Sequence, residues 1–490
     1  MKKNFARISF SRGGILIQVI AFMSIGMVIL SGFVGWGIMS SRVARHTEAR
    51  EQVFEIAESG IDYYRWHLAH ADTDYQDGTG VAGPYVHDFN DKNGVKIGTF
   101  TLDITAPPTG STLVVVKSTG ALLSDPTMTR TIQAKFAKPS FAKYALVTDS
   151  DVWEDAVEIF GPYHSNGGVH FSNVVAHNVV TSAQRNYIDP DFGGNRWGVY
   201  TSKSIVGYPT GDPNYPSAYP VRNDVFVAGR TISVPAVDFA GMMSDLSTIR
   251  TNAQTSGRYY APSGAFGYHI KLKNTDKFDI WTVTAKTPSP NGSCKSNYLS
   301  QDTHGGMWSI SAETVLASNV DVPTNGLIFT EDDVWVEGLI DTARVTVAAA
   351  RFPDNAANRA SIIVNNDLLY TSTTTGTDVI GLIAQGYLRV GYASADDLEI
   401  DAALIAQSGA IWRDFYYQPN CGASSKRTKI TTFGSLISNQ RYTFSWSCGA
   451  SCTSGYATQV SNYDVNLLYA PPPSFPLTTD KYQVLSWDEI

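Results

Sequence analysis

The chain begins with an uncharged apolar run, residues 13–41, that lies between two groups of basic residues. As a helix rising about 1.5 Å per residue, this run would be roughly 43 Å long, which exceeds the ~30 Å core of a bilayer. A cleaved secretory signal has a shorter apolar core and small residues at its cleavage site. No such site follows Ile38. The sequence therefore predicts one membrane helix at the N-terminus.

The distribution of basic residues predicts the orientation of this helix. The segment before it carries four of them, Lys2, Lys3, Arg7 and Arg12. By the positive-inside rule, this segment favours a cytoplasmic N-terminus. Arginines after the helix weigh against that orientation, but a large domain is translocated largely regardless of charge. We therefore predict a single-pass protein of the cytoplasmic membrane whose ectodomain is extracytoplasmic.

Apart from this helix, the composition is that of a mildly acidic, β-rich protein. The formal net charge is −8, 17% of the residues are charged, and the mean hydropathy is −0.12. A chain of this kind with no long basic stretch gives no reason to expect a nucleic acid partner. The 25 tyrosines, 22 phenylalanines and 10 tryptophans suit β-strands, because aromatic side chains fit a pleated surface.

The helical pattern continues beyond the membrane. Small or apolar residues recur with the spacing of one helical face at Val53, Ala57, Gly60, Ile61, Tyr64 and Leu68. We predict a basic leader over residues 1–14 and one membrane-spanning and amphipathic helix over residues 15–71. The outer half of that helix needs a surface to pack against.

Residues 72–140 have the pattern of a small antiparallel sheet. A loop over residues 72–93 precedes strand patterns at 95–104, 112–118 and 129–137, and turns rich in Pro, Gly and Asp separate them. These strands supply the surface that the helix needs. The segment is therefore predicted to be a small β head onto which the long helix packs.

Residues 141–490 contain many short apolar runs bounded by Gly, Asn or Asp, with an insertion predicted at about 185–300. Short strands that stack on one another are typical of a parallel β-solenoid. Because no strict repeat period is visible, the predicted solenoid is irregular, and a jelly roll or sandwich is the alternative. The predicted fold class is mainly β with a long N-terminal α-helix, a small antiparallel sheet and an irregular parallel β-solenoid.

Four cysteines lie beyond the membrane helix, in a compartment predicted to be oxidising: Cys294, Cys421, Cys448 and Cys452. A zinc site is the rival interpretation, but the spacing is not the paired C-x2-C type. The small-residue loop that holds Cys448 and Cys452 can bring either thiol to Cys421 or the two to each other. We therefore expect at least one disulfide among these three cysteines, with free thiols as a further alternative.

Three stretches resemble one family. Residues 11–18 (SRGGILIQ), the apolar run and residues 57–61 (AESGI) are similar to a pilus-assembly PilX-type, minor pilin-like N-terminus. Residues 160–169 (FGPYHSNGGV) resemble a rung of the large β-helical ectodomains attached to such N-termini. Residues 329–338 (FTEDDVWVEG), 345–348 (VTVA) and the Pro-rich residues 464–473 resemble further parts of the same ectodomains.

The resemblance implies processing and assembly. In this family a prepilin peptidase cuts after a glycine, here Gly13 or Gly14, and Ile15, Gln18 and Val19 then begin the membrane anchor. Major pilins carry Glu at the fifth mature position, where this chain has Gln18 or Val19. Since a carboxylate inside a membrane is costly unless it is paired, its absence suits a subunit at a filament tip or initiation complex. It also leaves open that the protein never enters a filament.

Two groups of polar residues could bind metal, and for both an ordinary turn or surface role is the preferred interpretation. The first group holds histidines six and seven residues apart, His164, His170 and His177. The second offers hard oxygen ligands for Ca²⁺ but does not match an EF-hand loop; its aspartates are Asp149, Asp151, Asp189 and Asp191. No cofactor or metal is expected.

A third group has the composition of a polysaccharide lyase or hydrolase site, with acidic and basic residues near each other in sequence. Its members are Asp378, Asp396, Asp397, Glu399, Asp401, Asp414, Arg389 and Arg413. Acidic residues at solvent-facing corners are the preferred interpretation. An aromatic platform for sugars is a further possibility, against the preferred role of core filling, for Trp335, Trp412, Tyr416, Tyr417, Trp446 and Trp487.

The sequence thus predicts a membrane-anchored, minor pilin-like structural subunit that acts in type IV pilus-type filament assembly or in surface adhesion. It is not expected to be an enzyme, and no catalytic residue is assigned. The expected partners are the membrane, other pilin or pilus-assembly subunits, a prepilin peptidase and a surface ligand such as polysaccharide or a host substratum. The alternative is a membrane-anchored β-helix enzyme or binding protein that acts on polysaccharide at the cell surface.

Overall fold

The computed structural model describes residues 14–107, 111–290, 294, 307–416, 418–447 and 453–490. These residues form two compact units. The first, the head, comprises residues up to Thr105 with Val115–Lys135 and Ser486–Ile490. The second, the ectodomain, comprises Ala106–Val114 and Phe136–Leu485.

The head consists of one long helix, Gly14–His70, and a five-stranded sheet. In spatial order the strands are Tyr85–Asn90, Lys96–Thr105, Val114–Leu122, Thr129–Ala137 and Gln483–Glu489. The first three of them pair in antiparallel fashion. The predicted fold class of a long N-terminal helix followed by a mainly β chain is confirmed.

The outer half of the helix packs on this sheet through the predicted apolar face. Its buried residues are Val53, Ile56, Ala57, Gly60, Ile61, Tyr64 and Leu68. The sheet approaches the helix so closely that a Cβ atom on Gly120 would lie 2.3 Å from the Val53 carbonyl oxygen and 2.7 Å from the Ala57 nitrogen. The absence of a side chain at Gly120 is therefore what permits this packing distance.

The strand Gln483–Glu489 belongs to the head sheet, although the sequence analysis assigned the whole of residues 141–490 to the ectodomain. Arg130 donates a hydrogen bond of 2.5 Å from Nε to Glu489 Oε1, and the Ile490 nitrogen donates to the Thr131 carbonyl oxygen at 3.0 Å. The ring of Trp487 meets that of Phe54 edge-on at 5.8 Å. The domain boundary is corrected accordingly, because a strand can pair with an edge that lies far away in sequence.

The ectodomain is built around a continuous parallel sheet, called face 1. In spatial order its strands are Arg258–Tyr260, Leu327–Thr330, Arg344–Ala349, Val379–Ala384, Asp397–Ala406, Lys426–Ser438, Leu146–Thr148, Tyr163–Ser165, Val180–Ser182 and Arg230–Thr231. Such parallel stacking is the arrangement of a β-solenoid. It excludes the jelly roll and the sandwich, whose strands pair antiparallel.

Two further faces complete each turn of the solenoid. Face 2 has one group of strands, Tyr268–Lys273, Val334–Ile340, Ile362–Ile363, Leu388–Val390 and Ile411–Arg413, and a second group, Val152–Glu154, Val169–Phe171 and Val199–Thr201. Face 3 contains Leu368–Tyr370, the N-terminal parts of Asp397–Ala406 and Lys426–Ser438, Thr453–Tyr463, and the pair Glu158–Ile159 and Val175–Ala176.

The spatial order of the strands differs from their order in the chain. The chain enters face 1 at Leu146–Thr148, stacks in one direction to Arg230–Thr231, forms the helix Met242–Ser256 and re-enters at Arg258–Tyr260. From there it stacks back until Lys426–Ser438 pairs with Leu146–Thr148. We call this junction the seam.

Part of the predicted insertion at about 185–300 belongs to the solenoid. Arg258–Tyr260 and Tyr268–Lys273 pair in parallel with later strands, so the boundary of the insertion is corrected there. Outside the stack lie two antiparallel hairpins, Asn186–Ile188 with Asn195–Trp197 and Lys277–Lys286 with Ile310–Asp321. The strand Ser445–Ser447 and the short helix Gln418–Cys421 complete the ectodomain's regular elements.

Alternate residues of face 1 enter two different cores. Ile380 and Leu382 lie in the solenoid interior, whereas Val379 and Ile383 lie in a second core on the outer side of the sheet. The helix Met242–Ser256 and segments outside the sheet contribute the remaining side chains of this outer core: Phe141, Phe239, Leu246, Ile249, Ala253, Leu467 and Phe475. Because both sides of the sheet are covered, its strands are continuous apolar runs, as is typical of parallel sheets.

We predict that Gly120→Ala destabilises the head. Its new Cβ would meet backbone atoms of the helix, which cannot rotate away, so the helix must shift from the sheet. Overpacking of this kind costs about 1–3 kcal/mol, measurable as a lower free energy of unfolding in urea.

Lys117→Ala is the matched control, because Lys117 is an exposed residue of the same strand. It should change the free energy of unfolding by no more than about 0.5 kcal/mol. Equal stability of the Gly120→Ala variant and the wild type would contradict the close contact.

Candidate functional site

The two halves of the N-terminal helix have opposite environments. No residue between Gly14 and Gln52 is buried in the structure, and large apolar side chains are exposed along that length. Examples are Ile15 at 69% exposure, Phe22 at 74% and Trp36 at 71%. Within the described chain, Gly14–His70 is the one helix whose length and composition would allow it to cross a membrane.

The predicted processing and anchor residues lie at the start of this helix. Gly14 is its first residue, and Ile15, Gln18 and Val19 are exposed in its first turns. Gly13 lies outside the described residues. The predicted cleavage point therefore lies at the edge of the part of the chain that the structure describes.

The three histidines lie on three different faces of the solenoid. His164 on face 1 contacts Thr181 Oγ1 at 2.9 Å, and His170 on face 2 contacts Ser202 Oγ at 2.8 Å. His177, at face 3, stacks on Phe160 at 4.4 Å between ring centroids. They do not converge on a common point, and in the described part of the chain no three His, Cys, Asp or Glu side chains are grouped to hold a metal.

The aspartates considered for calcium hold turns together. Asp189 Oδ1 accepts hydrogen bonds from the backbone nitrogens of Asp191 and Phe192 at 2.8 and 2.9 Å. Its Oδ2 accepts from the Tyr200 hydroxyl. Both oxygens thus already have donors, and this arrangement is that of an Asx turn.

The carboxylates considered for polysaccharide chemistry are dispersed over different corners. Asp378 accepts from the backbone nitrogens of Thr342 and Ser372 at 2.6 and 2.8 Å. Asp414 pairs with Arg389 at 2.9 Å. Carboxylates engaged in these ways stabilise loops and do not form the facing pair that glycoside hydrolysis uses.

Asp401 is 2% exposed and is thus as buried as Asp378 and Asp414, which are 1% and 2% exposed. Its Oδ2 accepts a hydrogen bond from the Tyr370 backbone nitrogen at 3.0 Å, and its Oδ1 has no partner among the described residues. Burial raises the pKa of Asp401 to about 7, with the Tyr370 hydrogen bond opposing and nearby carboxylates adding to the rise. The ionised form of Asp401 is therefore less stable in the folded protein than in water.

The aromatic residues do not form one exposed platform. Trp335 and Trp412 are 3% and 8% exposed, and Trp335 donates its indole hydrogen to the Trp308 carbonyl oxygen at 3.0 Å. Trp487 belongs to the head, and Tyr417 lies outside the described residues. Trp335 and Trp412 have the burial expected of side chains that fill space.

The structure pairs Cys421 with Cys294 in a disulfide. Both sulfurs lie in a small buried cluster with Met307, Tyr392 and Tyr416. Of the pairings predicted among Cys421, Cys448 and Cys452, the two that involve Cys421 are corrected, since Cys421 has a partner 127 residues away in sequence. Cys448 and Cys452 lie outside the described residues, so a bond between those two stays a prediction. Nothing in the local sequence around Cys294 indicated this pairing.

We predict that peptide mapping of the unreduced chain finds the Cys294 peptide joined to the Cys421 peptide. Closing so long a loop restricts the unfolded chain, so replacing both residues by serine should lower the free energy of unfolding by about 2–5 kcal/mol. The control, Cys448→Ser with Cys452→Ser, should leave the joined peptide unchanged. A peptide that joins Cys421 to Cys448 or Cys452 would show the assignment to be wrong.

We also predict a pH-dependent effect of Asp401→Asn. The folded-state pKa is raised from 3.8, so the native state holds the proton more tightly and wild-type stability falls as the pH rises from about 4 to about 7. Across that window the variant should gain up to about 4 kcal/mol relative to wild type, and the difference should be constant above pH 7.

Urea unfolding at several pH values measures this difference. Asp397→Asn is the matched control, because Asp397 is exposed on the same strand. Its stability profile should run parallel to that of the wild type. A parallel profile for Asp401→Asn would contradict the raised pKa.

Comparison with known proteins assigns no family to the chain. No protein-family model matches the chain, and no curated protein matches it. Among solved structures, the competence-associated pilin ComZ from Thermus thermophilus superposes with a TM-score of 0.31 at 16% sequence identity. The superposition covers 90% of this chain and 97% of that one. We base no functional conclusion on a superposition this weak.

Proposed function

We propose that the chain is a membrane-anchored, minor pilin-like structural subunit of a type IV pilus-type filament or pseudopilus, with a cytoplasmic N-terminus. The observation that carries this proposal is the uneven burial of the N-terminal helix. Seven residues between Val53 and Leu68 are buried in the head, whereas none before Val53 is buried. The C-terminal half of this helix therefore packs in the head, and its N-terminal half is left for a different environment.

The exposed half needs a cover that the described chain does not provide. A Leu, Ile or Phe side chain kept in water costs about 1.5–3 kcal/mol relative to burial, and such residues recur from Ile15 to Met39. A bilayer covers them before assembly, and the corresponding helices of neighbouring subunits cover them in a filament. Other pilin subunits are therefore the proposed partners, with a prepilin peptidase as the processing enzyme.

The uncharged start of the helix supports a position at a filament tip or initiation complex. Gln18 or Val19 occupies the position at which a subunit's carboxylate would pair with the N-terminus of a neighbour. A subunit with no neighbour ahead of it has no such pairing to make. In this proposal the ectodomain presents a surface to other subunits or to a substratum such as polysaccharide, and performs no chemistry.

The dispersion of polar groups supports a non-enzymatic role. Two carboxylates of the group considered for polysaccharide chemistry are engaged at separate places, Asp378 with two backbone nitrogens and Asp414 with Arg389. Turnover of a polysaccharide by the purified chain, lost on mutation of one carboxylate, would overturn this part of the proposal.

The decisive experiment determines the mature N-terminus and follows the chain into filaments. In cells with an active prepilin peptidase, the intact mass should correspond to a chain that starts at Gly14 or Ile15 and keeps its hydrophobic helix. Replacing Gly13 and Gly14 by alanine should leave the leader attached. Retention of Met1 by the wild type, or a cut beyond Ile38, contradicts the proposal.

A second experiment compares how much of the chain enters filaments in two variants that each gain one negative charge. Val28→Asp places a carboxylate at a position that is 70% exposed in the apolar half and should reduce recovery in sheared filaments at least tenfold. Ser59→Asp, at a partly exposed position in the packed half, should leave recovery unchanged. Equal recovery of both variants would refute a role of the apolar half in assembly.

A further inference from the structure

The seam is less completely paired than the rest of the solenoid. On face 1, Leu436, Ile437 and Ser438 pair with Leu146, Val147 and Thr148. On face 3, the two sides meet in the described residues through an isolated bridge between Phe160 and Asn462. The rungs on the two sides of the seam are therefore joined by strand pairing on face 1 and are less closely joined on face 3.

A cavity of about 560 Å³ occupies this separation. This volume falls within the range of about 300–1,000 Å³ that small-molecule sites have. Four aromatic rings line it, those of Phe160, Tyr163, Tyr442 and Tyr463. Its lining also includes three carboxylates, from Glu154, Asp155 and Glu158, and no Lys, Arg or His among the described residues. The cavity is thus aromatic and acidic, and of its carboxylates Glu158 has a base beside it, since His177 Nε2 lies 3.6 Å from Glu158 Oε2 outside the wall.

Glu154 is the central polar group of the cavity. It ends the strand Val152–Glu154, in which Val152 belongs to the solenoid interior, and the alternation of a strand turns Glu154 to the same side. The Tyr163 hydroxyl donates to Glu154 Oε1 at 2.9 Å, and the Tyr442 hydroxyl donates to the same oxygen. Oε2 accepts no hydrogen bond from any described residue, and a ligand can therefore occupy it.

The surroundings make an ionised Glu154 costly unless a cation is present. Burial raises the pKa of Glu154, and the two tyrosine hydroxyls and the charge of Arg441 only partly offset that rise. Arg441 is bonded to Asp191 at 2.6 Å and is not part of the cavity wall. A partly buried carboxylate of this kind is stabilised by a positively charged partner within the cavity.

We propose that the seam cavity binds a small organic cation, of the primary amine or diamine class, with its ammonium group on Glu154 Oε2. The aromatic rings favour the same ligand, because an ammonium group is attracted to the face of an aromatic ring. Asp155 and Glu158 add negative charge to the wall, which suits a second ammonium group. This site is independent of the proposed filament role, since no part of the N-terminal helix lines the cavity.

Two other ligand classes fit the cavity less well. A neutral sugar would bond to Glu154 but would leave its charge uncompensated in the cavity. A metal ion needs several converging ligands, and the described chain holds no cluster of three such side chains. The experiment below distinguishes all three.

Titration calorimetry of the detergent-solubilised full chain with 1,4-diaminobutane tests the proposal. Saturable binding is expected, and 1,4-butanediol, which has hydroxyls in place of the ammonium groups, should neither bind nor compete. Glu154→Gln keeps an oxygen that can accept from both tyrosines and removes the charge, so binding should weaken at least tenfold. Glu399→Gln removes a carboxylate that is exposed on a strand outside the cavity wall and should leave binding unchanged.

A second variant guards against loss of folding by Glu154→Gln. Ser461→Arg adds a cation at an exposed position of the cavity wall and retains Glu154, and it should also weaken diamine binding at least tenfold. Unfolding midpoints equal to that of the wild type verify that both variants fold. The assignment would be overturned if the wild type did not bind the diamine, or if either variant bound it as tightly as the wild type does. Displacement of the diamine by butanediol, by a neutral oligosaccharide or by Ca²⁺ alone would overturn it as well.

Discussion

The backbone hydrogen bonds between Lys426–Ser438 and Leu146–Thr148 join two separately built stacks into one solenoid. Without them each stack would expose an open end of face 1, with unpaired N–H and C=O groups and apolar side chains. The inner and outer cores both run across this junction: Leu146 and Leu436 lie inside, and Val147 and Ile437 lie outside. Both cores of the ectodomain therefore depend on this one set of strand pairs.

Much of the architecture could be predicted from local sequence patterns. The apolar spacing at Val53, Gly60 and Leu68 indicated the packed face of the helix, because a helix brings such residues to one side. Short apolar runs such as Val379–Ala384, bounded by Gly, Asn or Asp, indicated a stack of parallel strands. The order of the rungs could not be predicted, since Leu146 and Leu436 meet over nearly 300 residues of chain without a local signal.

The candidate sites also divide into those that local sequence indicates and those that depend on contacts between distant segments. The exposed half of the helix was evident from its composition, because hydropathy does not depend on long-range contacts. The cavity was not evident, although a Glu two residues after Val152 in a short strand was a local indication of an inward carboxylate. Tyr442 reaches Glu154 only because the seam brings distant segments together. The partner of Cys421 was missed for the same reason, since Cys294 is near it only in the folded chain.

The strand Gln483–Glu489 has a consequence for the order of events during synthesis. The helix Gly14–His70 and the other four strands of the head leave the ribosome before the ectodomain, yet the edge at Thr129–Ala137 acquires its neighbour only when residue 489 has been made. A growing chain thus holds an incomplete head, with one open sheet edge, until the ectodomain has been synthesised. The head sheet is therefore complete only in a chain whose ectodomain has been synthesised in full.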